Sequence, residues 1–370
     1  MTVSGCASNA QGPQGRPGSP WPARAPGGWR RCWAVLALAL ACAAPVAGQP
    51  GPPQSAPAGP AADSASAATA CPPTAAPLSA DALQAALRSA PDRGLLWEAR
   101  RQGRTVWLYG TVHAARREWM LPGPQLQAAL RSADRVALEL DMLDPAIARR
   151  LQAAVAARAD EPALPPALAR RMAAQAALAC LGDGLANLRP EMQAMTLVAL
   201  AGRQAGLDPA YGVDGFLAGL ARGLGKPVIS LETPESQIQV LVSADRQQRD
   251  ALIDDSLREL ESGQAVPGLL RLTQAWADGR LDELANYGQW CHCLDTPAER
   301  DLHERLIQRR NGPLARRAIA LHEAHAKVFV AVGALHMVGP DGLPALLAQA
   351  GFEVRRVALS GDRPAAGPRP

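Results

Sequence analysis

The chain predicts an α/β fold: a mostly parallel or mixed central sheet flanked by helices, with a helical insertion or cap. Three observations predict it. Short apolar, β-branched runs alternate with helix-length stretches, the alternation that builds parallel sheets. The 370 residues are 48% hydrophobic, enough for a large core. A long stretch, about 145–205, carries Leu, Ala and Met at helical spacing without a strand-like run, and so reads as the cap.

The elements follow in order. Residues 1–48 read as an export signal. A basic region ends in Arg30-Arg31, an apolar run follows from Cys32 to Ala41, and small residues near Ala47-Gly48 suit cleavage. The apolar run is short of the ~20 residues a membrane span needs. An uncleaved anchor and a lipidated Cys42 are the weaker alternatives. The mature protein is therefore expected in the periplasm or secreted, with no membrane span. Residues 49–78, rich in Pro, Ala, Gly and Ser, read as a disordered linker. The folded unit is expected over 79–359, and 360–370 as a disordered tail.

Charge narrows the partners. The formal charge of +4 comes from 38 basic and 34 acidic residues, and four of the arginines lie in the leader, which has no acid. The remainder is neutral, which argues against nucleic acid. Four cysteines lie beyond the leader: Cys71, Cys180, Cys291 and Cys293. In an oxidising compartment one or two disulfides are expected. Cys291 and Cys293 read as too close for an easy mutual bond, so at least one is expected to pair with Cys71 or Cys180. A metal cluster at Cys291-His292-Cys293 is the less favoured alternative.

The folded unit opens with a helix over 80–89. Two strands flanking Gln102-Gly103 form a hairpin. A helix over about 123–132 and a strand over 135–140 follow. The helical middle should break at Pro165-Pro166, Gly182-Asp183-Gly184 and Pro190. Then come a helix to about 224, a strand over 226–232, helices over about 234–287 and 297–324, a strand over 327–332, a helix over 341–350 and a last strand over 352–359.

One short pattern occurs twice, each time after a strand: Gly110-Thr111-Val112-His113 and Gly333-Ala334-Leu335-His336. In open α/β sheets ligands bind beyond the carboxyl ends of the strands. His113, Glu139, Glu232 and His336 all fall there. Imidazoles and carboxylates converging at one end suit a divalent transition metal such as Mn, Co or Zn. Such an ion would activate water, and a spare glutamate could take the proton. Each residue also has a plainer reading. Glu139 could pair with Arg135, and Asp141 competes with it. Glu232 could support the start of the next helix, and Asp214 could cap the one after it. His303, His322 and His325 read as solvent-facing, and Arg309-Arg310-Asn311 as part of a charged, solvated helix. No Walker loop, dinucleotide fingerprint or Gly-x-Ser-x-Gly elbow is present, which disfavours nucleotide, dehydrogenase and serine hydrolase chemistry.

An ordered set of short motifs resembles the TraB/GumN family, whose relatives include the Tiki proteins. The set runs from Leu96-Trp97-Glu98 through the first glycine–histidine motif, Ala137-Leu138-Glu139, Gly212-Val213-Asp214, Gly225 to Thr233 and Gln237, and on to Arg310-Asn311 and the second motif. The resemblance implies a fold similar to the erythromycin-esterase and ChaN-like proteins. It implies a metal-dependent peptidase with His113 and His336 as ligands, Glu139 as ligand or base, and Asp214 and Glu232 as further acidic ligands. Arg310 would steady a substrate carboxylate or an oxyanion, and Asn311 would hold that geometry or contact the substrate. The expected substrate is a peptide or protein. The competing expectations are a non-catalytic protein that sequesters a peptide, metal or haem, and an accessory factor in surface polysaccharide production.

Overall fold

The computed structural model describes residues 71–72, 75–76, 78–243, 245–291, 293–294, 296–325 and 327–359. The expected export signal, most of the linker and the tail over 360–370 lie outside the described residues. Six strands form one sheet: β1 (Leu95–Arg101), β2 (Arg104–Thr111), β3 (Arg135–Leu138), β4 (Val228–Ser230), β5 (Lys327–Gly333) and β6 (Glu353–Val357), in the order β4-β3-β5-β2-β1-β6. The pairs β4–β3, β3–β5 and β5–β2 are parallel, whereas β1 is antiparallel to both β2 and β6. The fold is thus α/β with a mixed sheet.

The apolar runs became strands because the interior demands them. Val328, Phe329, Val330, Ala331 and Val332 of β5 are fully buried, as a central strand covered on both faces must be. β1 and β2 meet through the Gln102-Gly103 turn, where both residues have positive φ. The register of β2 and β5 sets Gly110 opposite Val332 and Thr111 opposite Gly333, so the two glycine–histidine repeats lie side by side. A β-carbon on Gly110 would stand 3.1 Å from the Ala334 backbone, so glycine lets one repeat pack on the other. The buried Trp276 indole donates to the Gly110 carbonyl at 2.7 Å, fixing β2 where it leaves the sheet.

Two strands are shorter than the sequence predicts. β3 ends at Leu138 and β4 covers only Val228–Ser230. The backbones still run together beyond them, since the N–H groups of Leu231 and Glu232 donate to the carbonyls of Leu138 and Glu139. The helical middle breaks where expected. Helices Pro145–Val155, Pro166–Leu178 and Pro190–Leu200 each begin with proline, whose fixed φ and missing donor suit a first turn. Helices Pro166–Leu178, Pro190–Leu200 and Arg246–Glu261 share a satellite core that includes Leu168, Met172, Leu197, Ile253 and Leu257. The helix predicted over 297–324 is interrupted. Pro297–His303 gives way to a π turn, Glu304–Gln308, before Arg309–Ala324. The widened turn lies just ahead of Pro313, which has no N–H to offer the preceding turn.

The cysteine expectation is corrected. Cys71 pairs with Cys180 and Cys291 pairs with Cys293. The Cα atoms of Cys291 and Cys293 lie 5.1 Å apart, inside the span a disulfide needs, because the chain bends at Cys291 after the short helix Tyr287–Trp290. Among the described residues no helix is long and apolar enough to cross a membrane.

Candidate active site

Four neighbouring strands present the polar cluster. Glu232, Glu139, His336 and His113 follow β4, β3, β5 and β2, which are consecutive in the sheet. The short helical turn Ala334–Met337 directs His336 back over the sheet, where it is buried.

Each imidazole is held through Nδ1. His113 Nδ1 donates to Asp214 Oδ2 at 2.8 Å, and Thr111 Oγ1 donates to Asp214 Oδ1 at 2.6 Å. Asp214 therefore lies within the first turn of helix Val213–Gly223 and orients a histidine, while the backbone of Gly212 occupies the cap position. His336 Nδ1 donates to Asn311 Oδ1 at 2.6 Å. In both rings this leaves Nε2 directed away from its anchor. Burial first, and then the Arg310 charge, pushes His336 down to about 3, so this ring is neutral with a bare Nε2 lone pair. His113 keeps 28% of its side chain exposed. Burial lowers its basicity, but the charge and hydrogen bond of Asp214 override that and raise it to about 9.

Glu139 is locked from two sides. Oε1 accepts from the Gly333 N–H at 2.7 Å, and Oε2 accepts from Arg310 Nη2 at 2.5 Å and Gln237 Nε2 at 3.2 Å. Burial pushes its pKa up, but the Arg310 guanidinium, with His336 and His113 behind it, holds the carboxyl well below the usual range. Glu232 pairs with Arg310 Nε at 2.9 Å and with Arg310 Nη2, and accepts from Gln237 Nε2 at 3.1 Å. Arg310 Nη1 donates to the Leu306 carbonyl.

Gly333 sits at the centre. A β-carbon there would lie 3.4 Å from Glu139 Oε1, 3.6 Å from His336 Cδ2 and 3.7 Å from His113 Nε2. His336 Nε2 is 3.9 Å from Glu139 Oε1. The three groups stand around a space that glycine keeps open. As placed, no three His, Cys, Asp or Glu side chains among the described residues close on a single ion. The donor chemistry nevertheless fits a divalent transition metal: two imidazole Nε2 atoms and a carboxylate oxygen face one gap, and each ring is anchored by an oxygen at Nδ1. His113, His336 and Glu139 could hold the ion. Asp214 and Glu232 stand one step behind, with both oxygens of each engaged by neighbours.

Asp141 pairs with Arg222 at 2.5 Å and does not join the cluster. Glu139 pairs with Arg310 rather than Arg135. Arg310 and Asn311 are buried, not solvated. The guanidinium is taken up by the two glutamates and a carbonyl, so it holds carboxylates of its own chain. His322 is 1% exposed and lies edge-on to Phe352, against the expectation of a solvent-facing ring. The apolar Phe352 at the turn into β6 covers it. Thr111 and Gln237 were absent from the predicted site. Both lay inside the motifs that carry the family resemblance, but neither residue type signals metal or acid–base chemistry by itself.

Beside the cluster lies a cavity of about 580 Å³ that reaches His113, Glu139, Arg310 and His336. Two curated relatives, both called uncharacterized protein YbaP, from Escherichia coli K12 and Shigella flexneri, are each 31% identical over 157 residues, which is 42% of this chain and 54% of theirs. The chain therefore matches about half the length of those relatives. No solved structure matches. A family model described as TraB/PrgY/gumN matches residues 95–356, which reach all six strands and hold the whole cluster, and the chain belongs to that family.

Proposed function

We propose that the protein is a metal-dependent hydrolase of amide bonds, acting in the periplasm or outside the cell, with a peptide bond as the case its family resemblance favours. One observation carries the reading. Two histidines anchored through Nδ1 turn Nε2 toward Glu139 Oε1 across the space at Gly333. Charge supports it as well: Glu139 and Glu232 share the Arg310 guanidinium and Asp214 pairs with His113, so three carboxylates outnumber the positive groups and the cluster attracts a cation.

His113 Nε2, His336 Nε2 and Glu139 Oε1 would hold the ion. A divalent ion there supplies Lewis acidity, lowering the pKa of a water and polarising a carbonyl. The chain's own residues do the rest. Asp214 and Asn311 fix the two rings, and Thr111 fixes Asp214. Arg310 and Gln237 pin both glutamates and keep Glu139 ionised. That depressed basicity favours Glu139 as a ligand over Glu139 as a proton acceptor. The apolar cavity walls limit water near the reacting carbonyl.

The test is elemental analysis after removal of metal and incubation with Mn, Co or Zn. Wild-type protein should retain about one ion per chain, and His113→Ala and His336→Ala should lose it with an unchanged circular dichroism spectrum. A wild-type protein that stays metal-free removes the reading. One observation favours a second reading, capture without turnover: both oxygens of every carboxylate in the cluster are already engaged, leaving no obvious base. Ligand that binds yet keeps its mass after long incubation would support capture.

A further inference from the structure

The cavity is chemically lopsided. The imidazole, carboxylate and guanidinium groups in its wall, His113, Glu139, Asp214, Arg310 and His336, belong to the cluster at the strand ends. The rest of the wall is mostly apolar, and four helices contribute to it through Leu83 of Ala80–Ser89, Phe216 of Val213–Gly223, Ile238 of Pro234–Leu241, and Leu269 and Leu272 of Ala265–Ala277, beside residues of the loops that leave the strands. The neutral polar side chains in the wall are mostly engaged within the protein. Gln237 donates to Glu139 and Glu232, Thr273 Oγ1 donates to the Leu269 carbonyl at 2.7 Å, and Thr111 donates to Asp214. The remaining hydroxyl, that of Tyr211, belongs to the segment that carries Asp214. Leu143 lines the cavity while 49% exposed, which marks its opening.

An extended peptide backbone fits this wall poorly. Every residue of such a peptide brings a donor and an acceptor, and burying them unpaired costs about 1–3 kcal/mol each. Strand addition needs an open edge. β2, β3 and β5, which end at the cluster, are interior strands, and the edge strand β4 spans only Val228–Ser230. What fits is a ligand with one polar end and one long apolar end.

We propose that the cavity takes the unbranched tail of a long-chain acyl group whose carbonyl lies at the His113–Glu139–His336 cluster. Taken with the hydrolase reading, on which only the reaction rests, the substrate is a long-chain N-acyl amide. The water oxygen joins the acyl carbon, the C–N bond breaks, and both water protons end on the leaving nitrogen. The products are a long-chain carboxylate and a protonated amine, and no oxidant or reductant is needed.

The experiment is calorimetric titration of the full chain with butanoate, octanoate and dodecanoate, followed by mass spectrometry of N-dodecanoylglycine and of an unacylated peptide incubated with the protein. Affinity should rise about fourfold per added methylene until the cavity is full. The slope should flatten in Phe216→Asn, and also in Leu143→Asn, whose exposed position makes it the variant safer to fold. Equal affinity for all three carboxylates overturns the proposal. A steep series with neither the acylglycine nor the peptide cleaved keeps the tail site and removes the hydrolase reading, and a steep series with only the peptide cleaved removes the N-acyl amide as substrate. Cleavage of the unacylated peptide with a flat series keeps the hydrolase reading and removes the tail site.

Discussion

Gly333 has φ −49° and ψ 139°, angles open to any residue, yet a β-carbon there would intrude on the space between Glu139, His113 and His336. The glycine therefore serves the site and not the backbone. Gly333→Ala should keep its thermal midpoint within a few degrees of wild type while losing metal retention, read by elemental analysis. Retained metal would show that the ion does not sit in that gap. Both glycine–histidine motifs and the strand-end glutamates were legible in the sequence, because strand ends and chemically reactive side chains are local signals. The roles of Asp214 and Asn311 were legible only as alternatives. Their partners, His113 and His336, lie 101 and 25 residues away, and no local pattern encodes that pairing. Arg310 looked solvated because its neighbours in sequence are charged. Its burial depends on Glu139 and Glu232, which other elements bring.

At the scale of elements, alternating strands and helices were readable, as were the proline-marked breaks of the cap. The π turn Glu304–Gln308 was not, since a single widened turn leaves no periodic trace in a helical sequence. The segment that contains Cys71 and leads into helix Ala80–Ser89 supplies Ala75, Ala76, Leu78 and Leu83 to the cavity wall. The Cys71–Cys180 bond ties that segment to the cap across 109 residues of chain. A cross-link spanning so long a loop should stabilise by about 2–4 kcal/mol. The double variant Cys71→Ser, Cys180→Ser should lower the denaturant midpoint accordingly, and limited proteolysis should then cleave ahead of Ala80. An unchanged midpoint and cleavage pattern would mean that the amino-terminal wall holds by packing alone.

The cap also contains a buried charge. Glu191, in the first turn of helix Pro190–Leu200, is 3% exposed, and neither of its carboxylate oxygens meets a well-formed donor. Burial raises its pKa. Its own backbone N–H, Arg189 and Arg249 oppose the rise and Glu161 adds to it. The native state thus binds this proton more tightly than the unfolded chain does. The group favours folding below the ordinary carboxylate range, and that contribution is lost as pH rises through the raised native value. Glu191→Gln should therefore stabilise the protein at neutral pH by about 1–3 kcal/mol, with the gain shrinking toward acid. Urea midpoints of both proteins across pH measure this. A gain that stayed constant with pH would assign the effect to packing and not to the carboxylate.

The whole molecule has a main core around the sheet and a satellite core in the cap, and helix Pro190–Leu200 belongs to both. Its Met192 packs into the main core, while Ala194 and Leu197 pack into the satellite. A helix shared in this way couples the two clusters, because neither can melt without exposing the other's apolar surface. The tryptophans allow a direct test. Within the folded unit they are Trp97, Trp107, Trp119, Trp276 and Trp290, and none lies in the satellite helices Pro166–Leu178, Pro190–Leu200 and Arg246–Glu261. Tryptophan fluorescence therefore follows the main core, whereas far-ultraviolet circular dichroism follows helices in both. The two denaturation curves should superimpose, as for a single cooperative unit. Leu257→Ala, at a fully buried satellite position, should shift both by the same amount, corresponding to about 2–5 kcal/mol. An early loss of dichroism with unchanged fluorescence would show a cap that opens alone. The apolar wall contributed by the neighbouring helices Pro234–Leu241 and Ala265–Ala277 would then be free to move independently of the strand-end cluster.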